Sequence, residues 1–142
     1  MKVYFIFQIK DEFYNLYKDT PSILFQILKN IYYLDKEEVD YGYHLFRQLV
    51  KRLDKNSIDR ELFIKYHQDI PYIKRGNIHI RNDLYRNEVS RLEVKNYYFK
   101  LEVEQNFSSF YKVLEEKLSN LFVCCFKNTD FFFLDDYYNT AY

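Results

Sequence analysis

The chain opens on VYFIFQI, an unbroken run of β-branched and aromatic residues, which predicts a strand buried on both faces near the middle of a sheet. The period changes at Lys10. In KDEFYNLYK, Phe13, Leu16 and Tyr17 fall at i, i+3 and i+4, a turn or two of helix with Asp11 and Glu12 suited to its start. Thr20-Pro21 reads as the N-cap and N1 of a helix carrying Ile23, Leu24, Ile27, Leu28 and Ile31 on its core face. Asp35 and Glu38 form a D-x-x-E capping box with Leu34 and Val39 as its hydrophobic staple. A third helix is therefore expected from Lys36, with Val39, Tyr43, Phe46, Val50 and Leu53 as its core stripe. At 100° per residue, Tyr41, Leu45, Gln48 and Arg52 lie opposite that stripe and are expected to face outward.

Asn56 is placed to cap a shorter helix from Ser57 to about Gln68, which Pro71 terminates. Beyond it the period becomes two. Ile78 alternates with Ile80, Leu92 with Val94, and Tyr97, Phe99, Leu101 and Val103 alternate against Tyr98, Lys100 and Glu102. These read as antiparallel strands with one wet face, and Asn82 to Ser90 as a loop or irregular strand. Phe107, Phe110, Tyr111, Leu114 and Leu118 restore helical spacing. Leu121–Phe126 and Phe131–Leu134 then make a hairpin around Lys127-Asn128-Thr129-Asp130. The order predicts an α+β class, with one domain over residues 1–136, a mostly antiparallel sheet packed with three to five helices, and a flexible tail at 137–142.

Composition narrows the chemistry. A chain of 142 residues can bury a real core without covalent staples. Its 16 Tyr and 14 Phe, with no Trp, must both fill that core and reach the surface. The 21 basic and 21 acidic side chains cancel, so no global field draws the molecule to nucleic acid or to an anionic membrane. With Gly42 and Gly76 the sole glycines, glycine-rich phosphate loops, dinucleotide fingerprints and the G-x-S-x-G elbow are excluded. His44, His67 and His79 have no partner at ligand spacing, so neither a metal nor a cofactor is expected. Cys124 and Cys125 are neighbours that a strand would point to opposite faces, which excludes a disulfide framework and suggests small hydrophobes rather than a nucleophile. No charged-then-apolar leader and no apolar stretch near ~18 residues is present, so a cytoplasmic protein is expected.

Glu115-Glu116 and Asp135-Asp136 read as solvated charges, not as an acid–base pair, so no enzyme is expected. Two surface patterns suggest recognition instead. Segment 72–98 interleaves Tyr72, Tyr85, Tyr97 and Tyr98 with Arg75, Arg81, Arg86 and Arg91, the pattern of a single-stranded nucleic-acid platform. From Lys74 to Lys95, however, six Lys/Arg face three Asp/Glu, a modest net +3, and strand alternation in so aromatic a chain produces the same interleaving. The sharper pattern is the outward stripe of Tyr41, Leu45, Gln48 and Arg52, the mix of a protein-recognition face. The preceding turn adds Phe13, Tyr14 and Tyr17, rings that a helix this short cannot all hide.

These residues carry a resemblance. YFIFQIKDEFYNLYKDTPSILFQIL resembles the opening of the SirA family, sporulation inhibitors of replication, which begins with an aromatic strand and an I-K-(E/D)-E-F-x-N-x-Y turn. The likeness resumes in YYFKLEV, FYKVLEEKLSNLFVCCF and FFFLDD. It covers Tyr4 to about Leu53 and about Tyr97 to Leu134, while the centre, 54–96, matches poorly. The resemblance implies a small protein that binds the N-terminal domain of the replication initiator DnaA and blocks initiation without chemistry. It carries a partner-binding role onto Phe13 and Tyr17, and across an alignment gap onto Gln48. The alternatives are a nucleic-acid module built on 72–98, an interaction domain for another protein, and a Cys-dependent enzyme.

Overall fold

A computed structural model describes residues 1–34, 36–105 and 107–139, with the backbone alone for Lys36 and 137–139. Strand β1 (Lys2–Gln8) sits inside a seven-stranded sheet of order β2-β3-β4-β5-β1-β6-β7, antiparallel throughout. The other strands are β2 (Tyr72–Arg75), β3 (Ile78–Asp83), β4 (Glu88–Val94), β5 (Phe99–Val103), β6 (Leu121–Cys125) and β7 (Asp130–Phe133). The described residues also hold six α-helices: α1 (Asp11–Tyr17), α2 (Pro21–Tyr32), α3 (Val39–Leu49), α4 (Lys55–Tyr66), α5 (Phe110–Lys117) and α6 (Leu134–Asn139).

The unbroken apolar run of β1 has its physical reason in two cores. Tyr4 and Ile6 point into one, built with Leu62 and Tyr66 of α4 and Phe110 and Leu114 of α5. Phe7, and Ile9 just beyond the strand, point into the other with Leu24, Phe25 and Leu28 of α2 and Leu49 of α3. Cys125 and Cys124 divide between the same two cores, as neighbours on a strand must. The expected α+β class with an antiparallel sheet and the closing hairpin are both present. Helix α6 occupies 134–139, so the chain is helical for three residues into the stretch expected as a tail; 140–142 lie outside the described residues.

Several local expectations are corrected. Asn56 is not the cap of α4: Asp54 is, its Oδ1 accepting from the Ser57 amide at 3.3 Å. Thr20 holds the N-cap position of α2 but makes no side-chain bond there. Asp35 of the anticipated capping box lies outside the described residues, and a 3-10 turn at Lys36–Glu38 precedes α3. The stretch Asn82 to Ser90, expected as a loop or irregular strand, is the tip of the β3–β4 hairpin: 84–87 turn between paired strand ends, and the Asp83 carboxylate accepts the amides of Tyr85 and Arg86 at 3.1 and 3.3 Å.

The core stripe of α3 is also shifted. Val39 and Tyr43 are about half exposed, whereas Gly42 and Leu49 are buried and Phe46 packs on the second core. Gly42 is the reason. A Cβ there would collide with the Leu34 side chain, so glycine lets α3 approach the end of α2. The helix stops at Leu49, and Val50 and Leu53 are buried from extended chain instead.

Candidate functional site

Helix α1 begins where α3 ends, and a compact set of bonds fixes the junction. Ile9 and Val50 form an antiparallel bridge. The Lys10 amide donates to the Leu49 carbonyl at 3.0 Å, and the Lys51 amide to the Gln8 carbonyl at 2.8 Å. Asp11 Oδ1 accepts from the Asn120 amide group at 2.7 Å and from Lys51 Nζ at 3.4 Å. Asn120 Nδ2 also donates to the Ile9 carbonyl at 3.3 Å, while the Ile9 amide donates back to the Asn120 carbonyl at 3.0 Å. Asn120 manages both from a left-handed backbone (φ 58), a conformation that Asn tolerates better than most residues.

On this frame Phe13 and Tyr17 are half-buried, their inner edges on the second core. Tyr14 packs likewise, its ring edge-on to Phe133 at 5.1 Å; burial, and then Asp135, Asp136 and Asp19, push its phenol above the usual value. The exposed apolar residue of α1 is Leu16, 63% accessible, although its spacing groups it with Phe13 and Tyr17. The choice of Tyr14 over Leu16 as the inward residue depends on β7, which no local periodicity encodes.

The outward stripe of α3 comes out mixed. Tyr41 and Gln48 are exposed, but Leu45 is half-buried. Gln48 immediately precedes Leu49, whose carbonyl holds Lys10, so the junction joins the element of Phe13 and Tyr17 to that of Gln48. Tyr41 lies about 10 Å further along α3, at 1.5 Å per residue. Arg52 is exposed beyond the helix end and lines two shallow clefts beside Leu53 and Asp54 at the start of α4. The structure thus draws Phe13, Tyr17 and Gln48 onto adjoining elements, sets Arg52 just past Lys51 of the junction, and leaves Tyr41 two turns away along α3.

The aromatic and basic residues of 72–98 do not form one platform. Tyr72 is buried and stacked on Tyr66 in the first core. Arg81 is buried over the Tyr66 ring at 4.9 Å and pairs with Asp69 at 3.4 Å. Tyr97 packs against Phe46 and Tyr43 of α3, toward the other core, and Tyr85 is fully exposed at the hairpin tip. The direction of β3 reverses the hydrophobic expectation. His79, Arg81 and Asp83 are buried, whereas Ile78 and Ile80 are half-buried on the outer face.

The inward polar residues pair with one another, with Arg81 Nε left unpartnered, in a network the sequence reading missed. His79 Nε2 lies 2.7 Å from Asp59 Oδ1, and His79 Nδ1 lies 2.8 Å from the Tyr72 hydroxyl. Lys55 Nζ donates to Asp59 Oδ2 at 2.8 Å. With the carboxylate as acceptor, the His79 proton sits on Nε2 and the Tyr72 hydroxyl donates to Nδ1. Burial dominates the lowering of the His79 pKa from 6.5, while burial and then Asp59 push Tyr72 up to about 12. Neither shift activates a nucleophile. Burial likewise raises the Cys124 thiol well above its ordinary value, away from thiolate character. Among the described residues no helix is long and apolar enough to cross a membrane.

No curated protein matches the chain. The family model described as Sporulation inhibitor of replication protein SirA matches residues 2–137, including the centre that the sequence resemblance left uncovered. By that match the chain belongs to the SirA family of sporulation inhibitors of replication.

Proposed function

We propose that the chain is a cytoplasmic, non-catalytic inhibitor that binds the N-terminal domain of the initiator DnaA through the face made by α1 and the C-terminal end of α3. The observation that carries this reading is the Lys10–Leu49 main-chain bond, with the bridge beneath it, which holds the helix of Phe13 and Tyr17 against the end of the helix of Gln48. Half-buried rings beside an exposed amide and an exposed Leu16 form a rigid apolar centre with a polar rim, the anatomy of a protein interface. Inhibition then follows from occlusion. About 800 Å² per partner covers a surface that the initiator domain needs for other contacts.

The test is titration calorimetry of the full chain against that domain. Saturable binding is expected, weakened about 10- to 100-fold by Phe13→Ala and by Gln48→Ala, and unchanged by Ile73→Ala on the far part of the sheet. Because Phe13 also touches the core, each variant is first checked for a cooperative thermal transition. A folded wild type that does not bind, or folded variants that bind like it, contradicts the reading.

A further inference from the structure

Between α2, α3 and the sheet, at the open edge of the second core, lies a cavity of about 340 Å³. Its walls are rings: Phe5 and Phe7 from β1, Phe46 from α3, Tyr98 before β5 and Phe126 after β6, with Gly42 among the lining residues. Gly42 contributes no side-chain volume of its own to that space. An apolar hollow of ~150 Å³ already accommodates a benzene molecule, so this one has room for about two fused rings. Its lining is mostly apolar with a few hydroxyls, the make-up of a small-molecule site.

Arg47 does not line the cavity but neighbours it through Tyr43, one turn earlier on α3. Its guanidinium stacks on Tyr43, one of the lining rings, at 5.2 Å, and on Tyr97 at 5.6 Å. Nε and Nη2 both donate to the Tyr97 hydroxyl at 3.1 Å. Arg47 is solvent-exposed, and no carboxylate lies within ion-pair distance of it among the described residues. A guanidinium fixed by two aromatic faces, with Nη1 still open, is a preorganised receptor for a carboxylate.

We infer that the cavity beneath α3 binds a planar aromatic carboxylate of about two fused rings, its rings between the phenyl walls and its carboxylate on Arg47. The aromatic walls select flat ligands through ring stacking, and the cation selects acids over neutral or basic analogues. Since the cavity lies directly under α3, an occupant sits one helix away from Gln48 without touching it.

The test uses 2-naphthoate and the full chain. Excitation on the long-wavelength edge of the naphthyl band, beyond the absorption of the 16 tyrosines, makes probe fluorescence report binding alone. One saturable site is expected, with Kd between about 1 µM and 1 mM. Arg47→Met, which keeps the apolar stem over the rings, should weaken binding about 10-fold or more. Val39→Trp, a half-exposed lining position where a larger side chain plugs the hollow with little risk to folding, should abolish it. Neutral 2-naphthamide should bind at least 10-fold more weakly than the acid. Absence of saturable binding to the folded wild type overturns the inference, as does wild-type affinity in both variants. Tighter binding of decanoate than of 2-naphthoate overturns the aromatic assignment.

Discussion

Phe122→Ala is expected to destabilise the fold by about 3–5 kcal/mol, read as a drop in the denaturant midpoint with the slope unchanged. Phe122 is fully buried on β6, paired with Phe7 of β1 and with Phe133 of β7. Its ring centroid lies 4.6 Å from that of Phe133 and 6.3 Å from that of Phe131, and Tyr14 of α1 rests on Phe133 in turn. Truncation removes the transfer energy of a whole ring and leaves a hole that two strands in full hydrogen-bonded register cannot close. Because α1 leans on the same stack, the variant should also lose affinity for the partner domain before it unfolds. A loss under 1 kcal/mol would show that the second core repacks freely, and the rigidity assigned to α1 would then be wrong.

Asp59→Ala carries the second large effect, about 3 kcal/mol at neutral pH, because it strands the fully buried His79 Nε2 proton and unpairs Lys55. The same network sets the acid limit of the fold. Burial lowers the folded-state pKa of His79 below 6.5; Lys74 and Lys55 add to the lowering, and Asp59 opposes it. A depressed folded value means that the unfolded chain takes up the proton first. The share of stability is therefore complete above pH 6.5 and is lost as pH falls through the folded value, at a slope approaching 1.4 kcal/mol per pH unit. His79→Gln should flatten that slope. A wild-type stability that does not change between pH 7 and 5, measured by urea unfolding, contradicts the assignment of a neutral buried histidine.

The contrast between the two cores explains what the sequence could and could not reveal. Where burial on both faces or strong periodicity acts alone, as in β1, α2 and the β6–β7 hairpin, the residues name their own element. Period two along β3 reveals a strand but not its phase, and a one-residue shift exchanges Ile80 for His79 at the core. His79, Arg81 and Asp83 face inward because α4 supplies Asp59 and Tyr66, with Asp69 just beyond it. These partners are distant in sequence and leave no local signal. On α3 the key residue is Gly42, which contributes through the absence of a side chain and so is invisible to hydrophobic spacing. Extending the helix to Val50 and Leu53 then rotated the inferred stripe, which is why Leu45 was expected outside.

For the candidate face, Phe13, Tyr17 and Gln48 stood out by residue type and by resemblance, yet their meeting depends on the Ile9–Val50 bridge and on Asn120, more than a hundred residues from Ile9. Leu16 shares helical spacing with Phe13 and Tyr17 yet is exposed, because a seven-residue helix offers too few positions to fix a face. The aromatic-walled cavity had no signature at all. It arises from the spacing of α2 and α3 over the sheet, and its rings are contributed by segments spread across most of the chain.

Hydrogen exchange of the full chain, with and without the N-terminal domain of DnaA, most directly tests the binding face proposed here. Added protection confined to residues 10–18 and 45–52, with 72–94 unchanged, is the expected result. Protection centred on the outer face of β2 to β4, with α1 exchanging as in the free chain, would place the partner on the opposite part of the sheet and contradict the proposed face.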